Sequence, residues 1–77
     1  MTLGDFDHKA RLMRHFWLTY NKKNQEDLKK MMVTQGRRVY KEMKAAVVSG
    51  KIKKTYALKK IKEYKLEGFL EILKYEQ

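Results

Sequence analysis

A chain of 77 residues carrying 19 Lys and Arg against 9 Asp and Glu has a net charge of +10. Its length leaves room for one domain, and with no cysteine it has neither a disulfide scaffold nor a thiolate metal site. Apolar residues make up 43% of it, enough for a packed core and too many for native disorder. No basic stretch followed by an apolar one opens the chain, and the longest apolar run, Ala45–Val48, is far short of the ~20 residues that span a bilayer. The expectation is a cytoplasmic protein with residues 1–77 as a single helical domain.

The first helix is predicted from Phe6 to Tyr20. Asp5 is the expected N-cap, and Asp7 in the first turn opposes the positive end of the helix dipole. Phe6, Ala10, Met13, Trp17 and Tyr20 form one stripe at helical spacing, widened by Leu12 and Phe16, while Arg11, Arg14 and His15 face away. The same spacing makes Phe16, Trp17 and Tyr20 core residues rather than a base-stacking platform. The run Asn21–Lys22–Lys23–Asn24 ends the helix.

The second helix is predicted to begin at Asn24 as N-cap, with Glu26 and Asp27 in its first turn, and to end near Ser49–Gly50. Leu28, Met32, Val39, Met43, Ala46 and Val47 line one face. Gly36 lies beside that face and reads as a close helix–helix contact inside a continuous helix, with a break near Thr34 as the alternative. The stretch Lys51–Tyr56 reads as a loop or helix start, since a lone strand would have nothing to pair with.

The third helix is predicted from Thr55 to Tyr75, with Leu58, Ile61, Phe69 and Ile72 in a stripe flanked by Leu66 and Leu73. Lys65 falls in mid-stripe. Either its stem lies along the core with the amine in water, or the helix breaks over Lys65–Gly68 and the chain has four helices. Short connections imply antiparallel neighbours. The expected fold is all-α, a compact bundle of three helices, or four if this break is real.

The charge is concentrated in the middle of the chain. Residues 22–54 hold eleven of the cations and three of the anions, whereas the segments on either side are near neutral. Such a field attracts polyanions, and each phosphate neutralised releases condensed counterions. Fifteen of the cations are Lys and only Arg37 and Arg38 are Arg in the basic region, which favours phosphate contact over base reading. The candidate contacts are Lys29, Lys30, Arg37, Arg38, Lys41, Lys44, Lys51, Lys53, Lys54, Lys59, Lys60 and Lys62. Tyr40, Tyr56 and Tyr64 lie among them as partly exposed contacts.

Ala46 to Tyr56 is a partial helix-turn-helix pattern. Ala46 supplies the small residue and Gly50 the turn, Tyr56 and Ile61 the anchors, and Lys53, Lys54, Thr55, Lys59, Lys60 and Lys62 the groove-facing side. Ser49 stands where an apolar residue is usual, Lys51 where Val or Ile closes the turn, and Ile52 comes one place late.

Chemistry is not indicated. His8 and His15, seven residues apart, have no carboxylate or thiol to complete a metal set and read as solvent-facing. Gly36, Gly50 and Gly68 are isolated, so no phosphate-cradling loop exists. No catalytic residue, metal or cofactor is expected.

The leading functional expectation is a small regulatory or accessory protein that binds nucleic acid, DNA before RNA, of the size and composition common among accessory proteins of mobile elements and phages. The alternative is a helical inhibitor or adaptor that docks on an acidic protein through Leu66, Leu70 and Leu73. Homodimerisation is compatible with both, and adsorption to an anionic membrane is the least favoured.

Overall fold

The computed structural model describes residues 1–22 and 25–75. Among these there are four α-helices and no strand: α1 (Leu3–Lys22), α2 (Glu26–Val48), α3 (Lys54–Glu63) and α4 (Glu67–Tyr75). The fold is an all-α bundle. At about 1.5 Å per residue the 23 residues of α2 span roughly 34 Å, which accounts for the molecule's longest dimension of 37 Å. No helix of the described chain is long and apolar enough to cross a membrane.

Helix α1 starts one turn earlier than its sequence suggests. The Thr2 hydroxyl accepts from the Asp5 amide and the Asp5 carboxylate accepts from the Thr2 amide, both at 3.1 Å. This reciprocal pair satisfies two of the free donors at the helix start. Thr2 is therefore the cap and Asp5 the third helical residue, a correction to the expected N-cap. The expected cap of α2, Asn24, lies outside the described residues; Gln25 precedes that helix in extended conformation and makes no side-chain cap.

Helix α2 runs unbroken through Gly36, which is buried. A Cβ there would stand 2.6 Å from Phe69 Cζ and 3.1 Å from Leu73 Cδ2. The missing side chain lets α4 lie directly against α2. Phe69 has little room to retreat, because its ring stacks on Trp17 at 5.3 Å, and Trp17 in turn stacks on Tyr20 at 5.7 Å. This aromatic group ties α1 to α4, as core packing rather than an open stacking surface.

Two turns of one geometry fold the second half back. At the end of α2 the Lys51 amide donates to Ala46 O and the Gly50 amide to Val47 O, with Gly50 at φ 82°. At the end of α3 the Leu66 amide donates to Ile61 O and the Lys65 amide to Lys62 O, with Lys65 at φ 54°. Both are left-handed helix C-caps of the Schellman type. The second is the break over Lys65, so the four-helix alternative is the one the chain adopts.

The core gathers Phe6, Met13, Ile52, Leu66 and Phe69, each essentially without solvent contact. Burying a side chain of that size stabilises by about 1.5–3 kcal/mol relative to leaving it exposed. The break at Lys65 resets the helical phase, and this reassigns several residues. Leu66 just before α4 and Phe69, Leu70 and Leu73 within it, at i, i+3, i+4 and i+7, form one inward stripe, so the leucines expected to meet a partner are buried instead. Leu58, expected in the core, is 49% exposed on α3. Leu12 is also exposed, lying about 40° beyond Phe16 and off the arc that neighbouring helices cover.

Candidate functional site

The outward face of α2 is set by its inward one. With Val33, Gly36, Met43 and Ala46 buried, the opposite side of the helix carries Asp27, Lys30, Thr34, Arg38, Lys41, Ala45 and Val48, with Lys44 at its edge, all exposed. Lys30, Arg38, Lys41 and Lys44 thus share a broad basic stripe. From Lys30 to Lys44 it extends about 21 Å along the helix axis, or roughly six nucleotide steps at 3.4 Å each.

The stripe continues across the α2–α3 joint. Lys44 and Lys54 line the same cleft between the two helices. Lys51, Lys53 and Lys54 are exposed on and beside the turn, and Thr55, Lys59 and Lys62 lie on the outer side of α3. Among the described residues, no carboxylate pairs with any of these cations. The carboxylates that do form ion pairs are engaged elsewhere: Glu42 with Lys9 of α1 at 2.6 Å, Asp7 with Arg11 and Lys60, and Glu63 with Lys60.

The start of α3 is electrostatically bare. Its N-cap residue, Lys53, offers no side-chain hydrogen bond, and the first turn has no acid. The free amides of that turn carry the positive end of the helix dipole, and Lys53 and Lys54 add charge of the same sign. An anion there would relieve a repulsion that the protein itself leaves standing.

Three of the twelve candidate cations have partners inside the protein. Lys60 donates to Asp7 Oδ1 at 3.0 Å and Glu63 Oε2 at 3.1 Å, and its ammonium lies over the rings of Tyr56 and Tyr64. Hydrogen bonds to these two carboxylates raise the Lys60 pKa above its ordinary value. Arg37 is half-buried and its Nε donates to Leu73 O at 3.2 Å, at the negative end of α4. Lys29 lies 5.2 Å from the centre of the Tyr20 ring.

Asp7 is the hub that sequence reasoning took for a dipole partner. Its carboxylate accepts from the Tyr64 hydroxyl at 2.8 Å as well as from Lys60 and Arg11, and these donors hold its pKa below the usual carboxylate range. Arg11 Nε also donates to the Tyr64 hydroxyl, and Arg14 Nη1 donates to Tyr64 O at 2.7 Å. Arg11 and Arg14 therefore do not simply face away; they fasten α1 to the end of α3. Nothing in the sequence signals these pairings, whose members lie at least 50 residues apart.

The helix-turn-helix pattern resolves into clear parts. Ala46 is buried, Gly50 takes the left-handed conformation, and Ile52 plugs the core from the turn at 1% exposure. Ile52 closes the turn, which leaves Lys51 free to face water. Tyr56 packs edge-on against Phe6 and its hydroxyl donates to Leu3 O. His8 and His15 are exposed, and among the described residues no three His, Asp or Glu side chains gather closely enough to hold a metal ion.

Compared with protein families, with curated proteins and with solved structures, the chain matches none.

Proposed function

We propose that this protein binds nucleic acid through its phosphates, using the outer face of α2 and the α2–α3 joint, as a small regulatory or accessory protein of the cytoplasm. The observation that carries this reading is the set of exposed cations, Lys30, Arg38, Lys41, Lys44, Lys51, Lys53 and Lys54, that no described carboxylate neutralises. The uncapped, acid-free start of α3 adds amide donors beside three of them. Lysine outnumbers arginine on this surface, which suits point contacts to phosphates and gives little means of reading bases. Binding is expected to be weakly sequence-dependent, with duplex DNA as the preferred ligand.

The test is a salt titration with a fluorescent duplex. If about six phosphates are contacted, affinity falls roughly a thousandfold between ~50 and ~200 mM salt. Replacing Arg38, Lys41, Lys53 and Lys54 by Glu removes binding while the helical circular dichroism is unchanged, because all four side chains are exposed. Lack of binding at ~50 mM salt, or binding that ignores these four substitutions, rejects the reading.

A further inference from the structure

The cleft between α2 and α3 has a volume of about 160 Å³. Phe6, Met13 and Met43, all buried, form its depths; Leu58, half exposed, stands at its edge. Among the described residues, Lys44 and Lys54 are the charged ones that line it. Where the basic stripe crosses the joint, two of its ammonium groups thus overhang an apolar hollow.

Size and charge together select what fits. An apolar cavity of roughly 150 Å³ holds about one benzene ring, whereas pockets that enclose a drug-sized ligand run to ~300–1,000 Å³. The cleft therefore has room for a single large side chain rather than a whole cofactor. A second copy of this chain is a poor occupant, since it would bring another +10 body against the same two lysines. A duplex would meet the lysines with phosphates and leave the apolar depths unfilled.

We propose that the cleft is the docking site for an acidic protein partner. The partner inserts one apolar anchor (Leu, Phe or Trp) between α2 and α3, and carboxylates flanking the anchor meet Lys44 and Lys54. This inference stands on the cleft; it shares Lys44 and Lys54 with the phosphate-binding stripe, and its apolar contacts do not depend on that reading. Leu58, exposed without a neighbour to cover it, becomes the lip that closes over the anchor.

The methionines make the proposal measurable. Met13 and Met43 line the cleft, whereas Met31 is exposed elsewhere on α2 and does not. A synthetic amphipathic peptide with a Phe anchor between glutamates is titrated into protein labelled at the methionine methyl groups. The Met13 and Met43 signals are expected to shift saturably while Met31 stays in place. Leu58→Gln, which adds no charge to the basic surface, weakens the peptide at least tenfold and leaves duplex binding unchanged; Lys44→Glu with Lys54→Glu weakens both. Native methyl dispersion in each variant shows that it has folded. The proposal is overturned if the two signals do not move, or if peptides with Ala for Phe or Lys for Glu bind equally well. It is also overturned if Leu58→Gln binds like the parent, or if a duplex alone shifts both methyls as the peptide does.

Discussion

The two joints of the second half share a backbone and differ in almost everything else. Each ends a helix in a left-handed residue with the same pair of closing hydrogen bonds, Gly50 after α2 and Lys65 after α3. Each is followed by an apolar residue driven into the core, Ile52 at 1% exposure and Leu66 at 0%. Around Gly50 the cations Lys51, Lys53 and Lys54 stand in water. Around Lys65 the polar groups are fastened: Arg14 holds Tyr64 O, and Asp7 gathers Tyr64, Lys60 and Arg11. The comparison teaches that glycine is not what makes this turn. What the two joints share beyond the backbone is a buried apolar residue, Ile52 two places after Gly50 and Leu66 one after Lys65, and the first joint has no side-chain network of the second's kind among the described residues.

If the plugs determine the turns, their removal has the largest effect. Leu66→Ala and Ile52→Ala are each expected to destabilise by about 2–5 kcal/mol, the range for deleting a large buried aliphatic side chain. Urea unfolding followed by circular dichroism gives both values. A cost below that of changing the left-handed residue at the same joint would reverse the ranking and make the turn residue primary.

The left-handed positions come next. Gly50→Ala puts a Cβ into open space, so its cost is the backbone strain alone, about 1–2 kcal/mol. Lys65→Gly runs the other way and is expected to stabilise by about 1 kcal/mol or less, the strain relief being partly offset by the freedom glycine gains when unfolded. Lys65→Ala separates the two contributions, because it removes the lysine and keeps the strain. Thermal midpoints for all three should fall in the order Lys65→Gly, Lys65→Ala, Gly50→Ala. A loss of stability on Lys65→Gly would mean that the lysine side chain itself holds the joint.

The same pair of residues explains what could be read from the sequence. Gly50 announced its turn, since glycine after an apolar-periodic run is a common C-terminal signal. Lys65 gives only an indirect sign, a lysine in mid-stripe, which leaves one long helix and a break over Lys65–Gly68 both open. A single phase imposed on two helices puts Leu58 in the core stripe and leaves Leu66 and Leu73 only at its flanks, with Leu70 outside it. Gly36 was legible as a close contact, although not as the seat of Phe69, which lies 33 residues away in sequence. The concentration of charge could be counted from the sequence alone. Which cations are tied could not, because Lys60 and Arg37 find their partners in Asp7 and the carbonyl of Leu73, contacts that exist only once the helices have packed.

The network at the second joint offers the smallest effect and the most selective one. The Tyr64 hydroxyl and Lys60 donate to Asp7, and its pKa is lowered in the folded state. A carboxylate with a depressed folded pKa contributes stability that is present above its unfolded value of ~3.9 and lost as pH falls through the folded value. Stability should therefore hold between about pH 5 and 8 and decline on acidification below about pH 4. Asp5, lowered by its bonds with Thr2, adds to the same limb. Asp7→Asn should flatten part of that limb, and Asp5→Asn another part, so the two variants read the joint and the helix cap separately. The Arg11 partner has 69% of its side chain exposed, so water screens that pairing and the effect stays small beside loss of the Leu66 plug. Unfolding midpoints for parent and variants from pH 2 to 7 make the check. An acid limb unchanged by Asp7→Asn would show that the fastened joint, like the free one, is held by its plug alone.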